Sequence, residues 1–263
     1  MIKVLKRDGR LEPFNREKVL GTCLKAGVPI EVAEEVLKEV EKKIYDGITT
    51  DEILNLVLFN LKKYKYSYYA KYNLKNSLIR LGPAGYAFEK FVAKLLEKFG
   101  YKVKTNLVLE GKCTKQEVDV YAEFQEETIM VECKFHNFPT YTGLKEIMYT
   151  YARFLDLEYY FDSVWIFTNT KFSEEAIKYA ECKKMKFTGW NQPNKSGIEK
   201  MLEKMKLYPV TMLDFEDKDV KKLINSGLVF CNDILEAGLK KLREIGFEGK
   251  EDEILQKASE IFK

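Results

Sequence analysis

The stretch EVDVYAEFQEETIMVECKF, residues 117–135, predicts the sheet on which the fold is built. Apolar and polar residues alternate in its two halves, EVDVYAEF and TIMVECKF, and polar residues that suit a turn lie between them. We interpret the stretch as a β-hairpin that turns near residues 125–128, so that the numbers of cross-strand partners add up to about 253. It therefore predicts two neighbouring antiparallel strands.

The side chains of this hairpin are expected to separate into an apolar and a charged face, because successive residues of a strand point to opposite sides. The apolar face comprises Val118, Val120, Ala122, Phe124, Ile129, Val131, Cys133 and Phe135. The other face carries Asp119, Glu132 and Lys134, with Asp119 opposite Lys134 in the predicted register. Two carboxylates and one ammonium group are thus expected within cross-strand reach of one another.

Such a charged patch suits metal-assisted hydrolysis of a phosphodiester. Two carboxylates can hold one or two Mg²⁺ ions, or Mn²⁺, which prefer oxygen ligands. The metal helps to generate hydroxide and neutralises charge on the phosphate, while a lysine orients the water or stabilises the developing anion. The alternative is an exposed strand face with a cross-strand ion pair, since lysine and glutamate are abundant in this chain.

Helices and further strands flank the hairpin. Residues 86–100 predict an amphipathic helix, and Glu89 lies at the margin of its apolar stripe, where its carboxylate can be directed toward the sheet or pair with a surface lysine. Further elements are predicted as strands at 101–109, 163–169 and 186–190 and as helices at about 143–158 and after Ser173. This order predicts an α/β or α+β domain around a mixed sheet.

The chain before the hairpin predicts a small unit of short strands and helices, in which Asn15 begins the first helix, Gly27 ends it and residues 30–45 form the second. A third helix is expected to begin in the N-cap region Thr50-Asp51. Residues 53–88 contain no Asp or Glu but many Lys and Tyr, which suits either a solvated lysine face or a phosphate-contacting surface. The stretch LGPAG, residues 81–85, predicts a linker.

The motifs of the hairpin region carry a resemblance. A helix containing FE, then VDVYA, VECK, a helix and WIFTNTKFSEEAIKYA, within about residues 84–195, resembles the PD-(D/E)xK nuclease superfamily, particularly Mrr-like restriction endonucleases, and is similar to archaeal Holliday-junction resolvases. The resemblance implies that Asp119, Glu132 and the backbone carbonyl of Cys133 are metal ligands, Lys134 is the catalytic lysine and Glu89 is a supporting acidic residue.

Two residues near this motif need separate treatment. Val118 stands where the superfamily pattern has proline, although many members lack it. His136, which is the chain's single histidine, follows the second strand of the hairpin. We expect it to form a hydrogen bond in a loop or to contact a phosphate rather than to act in catalysis.

The N-terminal residues VLKRDGRLEPFNREKV, YDGITTDEI and a tyrosine-rich helix resemble the ATP-cone, the regulatory nucleotide-binding domain of ribonucleotide reductases and their repressor. The KRDG turn brings two cations near a helix start, where free N–H groups also favour phosphate. The resemblance implies a regulatory site for ATP or dATP formed by Lys6, Arg7, Glu12, Asn15, Lys18 and Thr50. The alternative is a strand-turn-helix unit without a ligand.

We therefore predict an α/β (α+β) chain of three domains: an α-rich ATP-cone at 1–82, a restriction-endonuclease-like domain with a mixed sheet flanked by helices at 83–207, and a small helical domain at 208–263. The last segment reads as purely helical. It weakly resembles helix-hairpin-helix modules, and a capping or dimerising bundle is equally consistent with it.

The predicted function is a Mg²⁺-dependent DNA endonuclease regulated by ATP or dATP. The alternatives are a non-cleaving, nucleotide-responsive DNA-binding regulator and a resolvase of Holliday junctions or other branched DNA. An intact Asp, Glu and Lys set argues against the regulator, because a protein without catalysis has no need to cluster these charges. We expect a homodimer or a nucleotide-dependent homo-oligomer.

Composition permits this function without deciding it. The chain has 44 Lys and Arg against 41 Asp and Glu, so DNA must be met by a local basic patch. Its 5 cysteines are scattered, which predicts neither a zinc site nor disulfides and suits a reducing compartment. No apolar run approaches the roughly 20 residues of a membrane helix. We expect a cytoplasmic protein with no membrane partner, and the resemblance suggests an archaeal source.

Overall fold

The computed structural model of the protein describes residues 2–82, 86–138 and 140–263, and residues 83–85 of the predicted linker lie outside this description. The chain divides into two compact units, residues 1–74 with 250–263, and residues 75–249. Helices and a mixed sheet confirm the predicted α/β (α+β) class. Among the described residues, no helix combines the length and the apolar character needed to cross a membrane.

The strands and helices are numbered in chain order. The first elements are β1 (Lys3–Leu5), β2 (Leu11–Pro13), α1 (Arg16–Lys25), α2 (Ile30–Glu41), β3 (Ile48–Thr49), α3 (Thr50–Tyr64), α4 (Tyr66–Tyr72), α5 (Leu74–Ile79), α6 (Tyr86–Lys98) and β4 (Lys102–Glu110). They are followed by β5 (Lys115–Phe124), β6 (Glu127–Lys134), β7 (Tyr141–Thr142), α7 (Leu144–Asp156), β8 (Ser163–Thr168), β9 (Lys171–Phe172), α8 (Glu174–Cys182), β10 (Lys186–Thr188), α9 (Ile198–Met205), α10 (Asp217–Asn225), α11 (Cys231–Glu244) and α12 (Glu251–Glu260).

The first unit packs helices around a three-stranded sheet with the order β2-β1-β3. Strand β1 pairs antiparallel with β2 and parallel with β3. The buried core includes Val4 of β1, Val36 of α2 and Leu61 of α3. Asn15 is the N-cap of α1, as predicted, because its side chain accepts a hydrogen bond from the N–H of Lys18.

Two helix boundaries of the first unit differ from the prediction. Helix α3 has Thr49 as its N-cap instead of the predicted Thr50-Asp51 region. The reason is a capping box: Glu52 N–H donates to Thr49 Oγ1 at 3.2 Å, and Thr49 N–H donates to the Glu52 carboxylate at 2.9 Å. Helix α2 ends at Glu41, before the predicted residue 45.

The second unit is built on a five-stranded mixed sheet with the order β10-β8-β6-β5-β4. Strands β4, β5 and β6 pair antiparallel, whereas β6, β8 and β10 pair parallel. Helices α7 and α8 cover part of the sheet through a core that contains Ile147, Ile166 and Ala176. The predicted hairpin therefore lies beside the centre of the sheet, and its second strand is the central strand.

The hairpin has a shorter turn than predicted. Strands β5 and β6 are joined by Gln125 and Glu126, whose φ angles are 48° and 70°, as in the two-residue turns that suit the twist of a hairpin. Partner numbers therefore add up to 251, as in the pair of Val120 with Val131. The predicted sum of 253 was wrong by two, so the residue opposite Asp119 is Glu132 instead of Lys134. A shift of two residues leaves every side chain on its predicted face.

The helices after residue 208 belong to both units. Helices α10 and α11 lie in the second unit, and α12 lies in the first. Helix α11 is interrupted at Gly238, whose φ of 67° suits glycine. Arg80, which follows α5, donates hydrogen bonds of 2.6 to 3.0 Å to three backbone carbonyl groups within residues 211–215. The contacts thus do not group residues 208–263 as a compact body, and the boundaries of the three domains stay a prediction.

Candidate active site

The backbone pairing of β5 with β6 ends just before Asp119, which contacts β6 through its side chain instead. The last paired residues are Val120 and Val131. One position further, Asp119 Oδ2 accepts a hydrogen bond of 2.7 Å from the backbone N–H of Cys133. This bond fixes the partly buried carboxylate of Asp119 against β6.

Glu132 is the most deeply buried of the predicted site residues, with 2% of its surface exposed. Its Oε1 accepts a hydrogen bond of 2.6 Å from Lys134 Nζ, two residues further on the same face of β6. Its Oε2 accepts a hydrogen bond of 2.6 Å from Nη1 of Arg153 on α7. Both oxygens of this buried carboxylate are therefore bonded to cations.

Arg153 was not predicted from the sequence. It is 9% exposed, and its other donors bind Gln116 Oε1 at 3.2 Å and the backbone carbonyl of Glu117. The guanidinium carbon also lies 5.6 Å from the centre of the Tyr149 ring. The signal available in the sequence was its position three residues after Thr150 on the buried face of an amphipathic helix, where an arginine needs a partner.

Glu89 joins the same cluster from the first turn of α6. Burial, followed by the negative charges of Glu117 and Glu132, raises the pKa of Glu89, whereas Lys134 acts to lower it. Together with Asp119, these contacts bring all four predicted site residues into one electrostatic cluster. Glu117 is an addition that sequence reasoning missed, although it precedes Asp119 by two residues and so belongs to the charged strand face.

The carboxylates of this cluster carry more negative charge than the neighbouring cations neutralise. Burial is the main cause that raises the pKa of Asp119 from 3.8 to about 7, and the neighbouring charges of Glu132 and Glu89 add to it. The N–H of Cys133 and the ammonium group of Lys134 act in the opposite direction without cancelling the rise. A further cation beside Asp119 would therefore stabilise its ionised form.

The donor atoms present fit a hard divalent cation. Within the described ranges, no three His, Cys, Asp or Glu side chains are arranged to hold a metal ion by themselves. The carboxylates of Asp119 and Glu132 provide oxygen donors on this face, and the backbone carbonyl of Cys133 is the third ligand expected from the sequence. Mg²⁺ is commonly held by one or two carboxylates and keeps several waters, so this oxygen-only set suits it. The residues thus fit Mg²⁺ or Mn²⁺ better than zinc.

His136 lies outside this cluster of carboxylates. Its Nε2 is 2.9 Å from the hydroxyl of Thr142, which in turn donates to the hydroxyl of Thr168. The side chain of Asn169 holds both the N–H and the carbonyl of His136, at 2.8 Å each. Burial lowers the pKa of the imidazole, so the neutral form is favoured. These contacts confirm the predicted loop hydrogen bond.

The predicted nucleotide-binding residues of the first unit fall into two groups. Lys6 and Arg7 follow β1, and Thr50 follows β3, whose strand is parallel to β1. Lys6 Nζ lies 3.7 Å from Glu12 Oε2, and Arg7 Nε donates to Asp51 Oδ1 at 3.0 Å. The contact partner Asp51 was not singled out from the sequence as a binding residue.

The second group, Asn15 and Lys18, lies at the start of α1. This helix follows β2, whose last residue, Pro13, pairs with Lys3 at the opposite end of β1. The strands are only three residues long, which corresponds to roughly 10 Å. The two groups thus follow opposite ends of this short pair of strands.

A mixed sheet that carries a carboxylate and a lysine at the end of its central strand, β6, and a second carboxylate on the neighbouring strand, β5, is typical of a nuclease-type domain. Comparison with known families agrees. Residues 2–76 match the ATP cone domain family, and residues 83–190 match the restriction endonuclease family of the Mrr catalytic type. The chain therefore joins an ATP-cone domain to a restriction endonuclease domain of the Mrr type, which confirms the predicted fusion.

Similarity to individual proteins extends over about two thirds of the chain. An uncharacterized protein of Archaeoglobus fulgidus is 54% identical over 172 residues, which cover 65% of this chain and 99% of that protein. The crystal structure of a protein of unknown function is 52% identical, covers 66% of this chain and 95% of its own, and superimposes with a TM-score of 0.62.

A further relative is similar to a smaller part of the chain. The transcriptional repressor NrdR of Thermoanaerobacter sp. (strain X514) is 39% identical over 69 residues, which cover 23% of this chain and 44% of the repressor. The match thus spans less than half of that protein, and its activity as a repressor is not transferred by this likeness.

Proposed function

We propose that the protein is a Mg²⁺- or Mn²⁺-dependent DNA endonuclease whose activity is regulated by ATP or dATP bound to the ATP-cone. The observation that carries the proposal is the cluster of Glu89, Asp119, Glu132 and Lys134 in a restriction-endonuclease-type sheet. In this reading residues 1–82 are the regulatory domain, 83–207 the nuclease domain and 208–263 an accessory helical domain.

Each residue of the cluster has a role that its environment supports. Asp119, Glu132 and the carbonyl of Cys133 would hold the cation, which when bound supplies positive charge for the scissile phosphate and a more acidic water. Lys134 retains 28% side-chain exposure, so its ammonium group can reach a phosphate oxygen or orient the attacking water. Glu89, whose raised pKa favours the protonated form more than in an ordinary glutamate, is suited to exchange a proton nearby.

The ATP-cone supports the regulatory half of the proposal. Lys6, Arg7 and Lys18 would contact phosphates, because cations beside a helix start are a favourable place for anions. Arg7 is bonded to Asp51, so phosphate binding would exchange one anionic partner for another. Nucleotide-dependent association of subunits is the coupling that we propose.

The test is a cleavage assay on linear, flapped and four-way DNA, with and without Mg²⁺ and with and without ATP or dATP. Wild type is compared with Asp119→Ala and with Glu123→Ala as a matched control. Glu123 lies on the same strand but pairs with Lys102 at an exposed site. We expect Mg²⁺-dependent cleavage that is lost in Asp119→Ala and kept in Glu123→Ala.

Two results would contradict the proposal. Equal cleavage by wild type and Asp119→Ala would remove the site assignment, and ATP binding without cleavage of any substrate would favour the non-cleaving regulator. Preference for four-way over linear DNA would identify the substrate as branched DNA and leave the assigned site unchanged.

A further inference from the structure

We propose that Arg153 is a positioning residue of the metal site, which holds one oxygen of Glu132 so that the other oxygen is directed to the cation. The inference rests on the proposed function, because it assigns a role toward the cation that the nuclease would use. Arg153 itself touches neither the cation nor the substrate in this role.

The position of Arg153 is determined by three separate partners. Its guanidinium group binds Glu132 Oε2 at 2.6 Å, Gln116 Oε1 at 3.2 Å and the backbone carbonyl of Glu117. These partners lie on both strands of the hairpin, while Arg153 extends from α7. Because a planar guanidinium group offers donors in fixed directions, this arrangement determines the orientation of the Glu132 carboxylate as well as neutralising it.

The two cations on Glu132 differ in how readily they can leave. The pair with Arg153 has 10% and 3% exposed side chains, whereas Lys134 in the other pair is 28% exposed. Lys134 has a flexible side chain and a single bond to this carboxylate among the described contacts. A divalent cation would therefore take Oε1 from Lys134, and Arg153 would keep Oε2. Glu132 would then bind the cation through one oxygen, and Lys134 would be released toward the phosphate.

A purely structural purpose does not account for this buried pair. Burying a glutamate and an arginine removes both charges from water, and well-packed apolar residues of similar volume commonly give equal or greater stability. The contact instead corresponds to the hydrogen bonds by which neighbouring residues orient the side chains that bind a metal. Removal of such a hydrogen bond typically lowers metal affinity about 10- to 100-fold.

The test measures metal binding without nucleic acid in the full-length protein. Mn²⁺ affinity is determined by calorimetry and by electron paramagnetic resonance for wild type, Arg153→Met and Arg153→Lys. We expect Arg153→Met to weaken Mn²⁺ binding about 10- to 100-fold. Arg153→Lys should recover part of the affinity, because lysine restores the positive charge but only some of the hydrogen-bond donors of the guanidinium group. Lys186→Met is the matched control, because Lys186 pairs with Glu127 at the far end of β6.

A second variant keeps the test informative if Arg153→Met does not fold. Gln116→Leu leaves Arg153 and Glu132 in place but removes one support of the guanidinium group. We expect it to weaken Mn²⁺ binding several-fold, in the same direction as Arg153→Met and less than Arg153→Met.

The outcomes separate this inference from the proposed function. If a folded Arg153→Met variant binds Mn²⁺ with wild-type affinity, the positioning role is overturned and the nuclease proposal stays intact. The same conclusion follows if both Arg153→Lys and Gln116→Leu bind Mn²⁺ with wild-type affinity. Lower thermal stability with unchanged Mn²⁺ affinity would do the same. Absence of Mn²⁺ binding and of cleavage in wild type would instead overturn the proposed function, and the inference with it.

Discussion

Replacing Asp119 by asparagine should stabilise the metal-free protein at alkaline pH while abolishing metal binding. In the folded protein, burial and the charges of Glu132 and Glu89 raise the pKa of Asp119 from 3.8 to about 7. Asparagine is uncharged and its side-chain oxygen can still accept the N–H of Cys133. The substitution therefore removes the cost of the buried charge and keeps the hydrogen bond.

The sign and size of this effect follow from proton linkage. Between about pH 4 and pH 7 the folded protein holds a proton on Asp119 that the unfolded chain has released, so the free energy of unfolding falls as the pH rises. The rise in pKa to about 7 corresponds to about 4 kcal/mol as an upper limit, at about 1.4 kcal/mol for each pKa unit. The advantage of Asp119→Asn should therefore be absent near pH 4 and grow by up to about 3 kcal/mol between pH 5 and pH 8.

Urea unfolding in the presence of EDTA measures this difference at several pH values. The chain has 2 tryptophans, Trp165 and Trp190, and both lie in the second unit, so tryptophan fluorescence reports the unit that contains the site. Asp162→Asn is the matched control in the same unit. Hydrogen bonds from Thr128 lower the pKa of Asp162, so this substitution should not stabilise the protein at pH 8.

Adding Mg²⁺ completes the comparison. At 100 times its dissociation constant, a ligand that binds only the folded state stabilises it by about 2.7 kcal/mol. Wild type should gain stability from Mg²⁺ at pH 8, and Asp119→Asn should not. Parallel pH profiles for wild type and Asp119→Asn, or a variant that is less stable at pH 8, would refute the reasoning about an uncompensated buried charge.

Three further predictions concern other parts of the chain. Lys134→Met should reduce cleavage at least about 100-fold, yet retain Mn²⁺ binding in calorimetry, because the cation ligands remain. Arg80→Met should lower the free energy of unfolding of the second unit by about 2–4 kcal/mol in the urea assay, since it removes charge-assisted bonds to carbonyl groups within residues 211–215. Arg7→Ala should weaken ATP binding about tenfold or more in calorimetry through loss of a charged hydrogen bond, whereas Arg10→Ala, in the same turn, should not.

The faces of the hairpin could be predicted from the sequence, but its register could not. Alternation with a period of two places Asp119, Glu132 and Lys134 on one side for any register that differs by an even number of residues. The turn decides between such registers, and the left-handed angles of Gln125 and Glu126 are adopted without the glycine or asparagine that usually indicates a two-residue turn. The alternation of residues along the strands thus determines the face on which each side chain lies, while the turn conformation determines which residues are opposite each other.

Arg153, the part of the candidate site that was not predicted, lies far from Glu132 in the sequence. Glu132 and Arg153 are 21 residues apart and meet only because α7 packs on the sheet. The helix pattern predicts that Arg153 faces inward, but nothing in the sequence gives its position along the strands. Local rules of strand and helix therefore predict each element, whereas contacts between elements require the packed fold.

The contacts of the two buried carboxylates indicate where positive charge is lacking. Glu132 is bonded to two cations, whereas the described contacts of Asp119 include a single hydrogen bond, from the N–H of Cys133. Asp119→Asn should therefore stabilise the metal-free protein, but Arg153→Met should destabilise it by about 3–5 kcal/mol, because it leaves Glu132 buried without one partner. Both variants should nevertheless lose affinity for the metal. Opposite effects on stability with the same effect on metal binding would not arise from general disruption of the fold, and they follow directly if a cation binds between Asp119 and the Oε1 atom of Glu132.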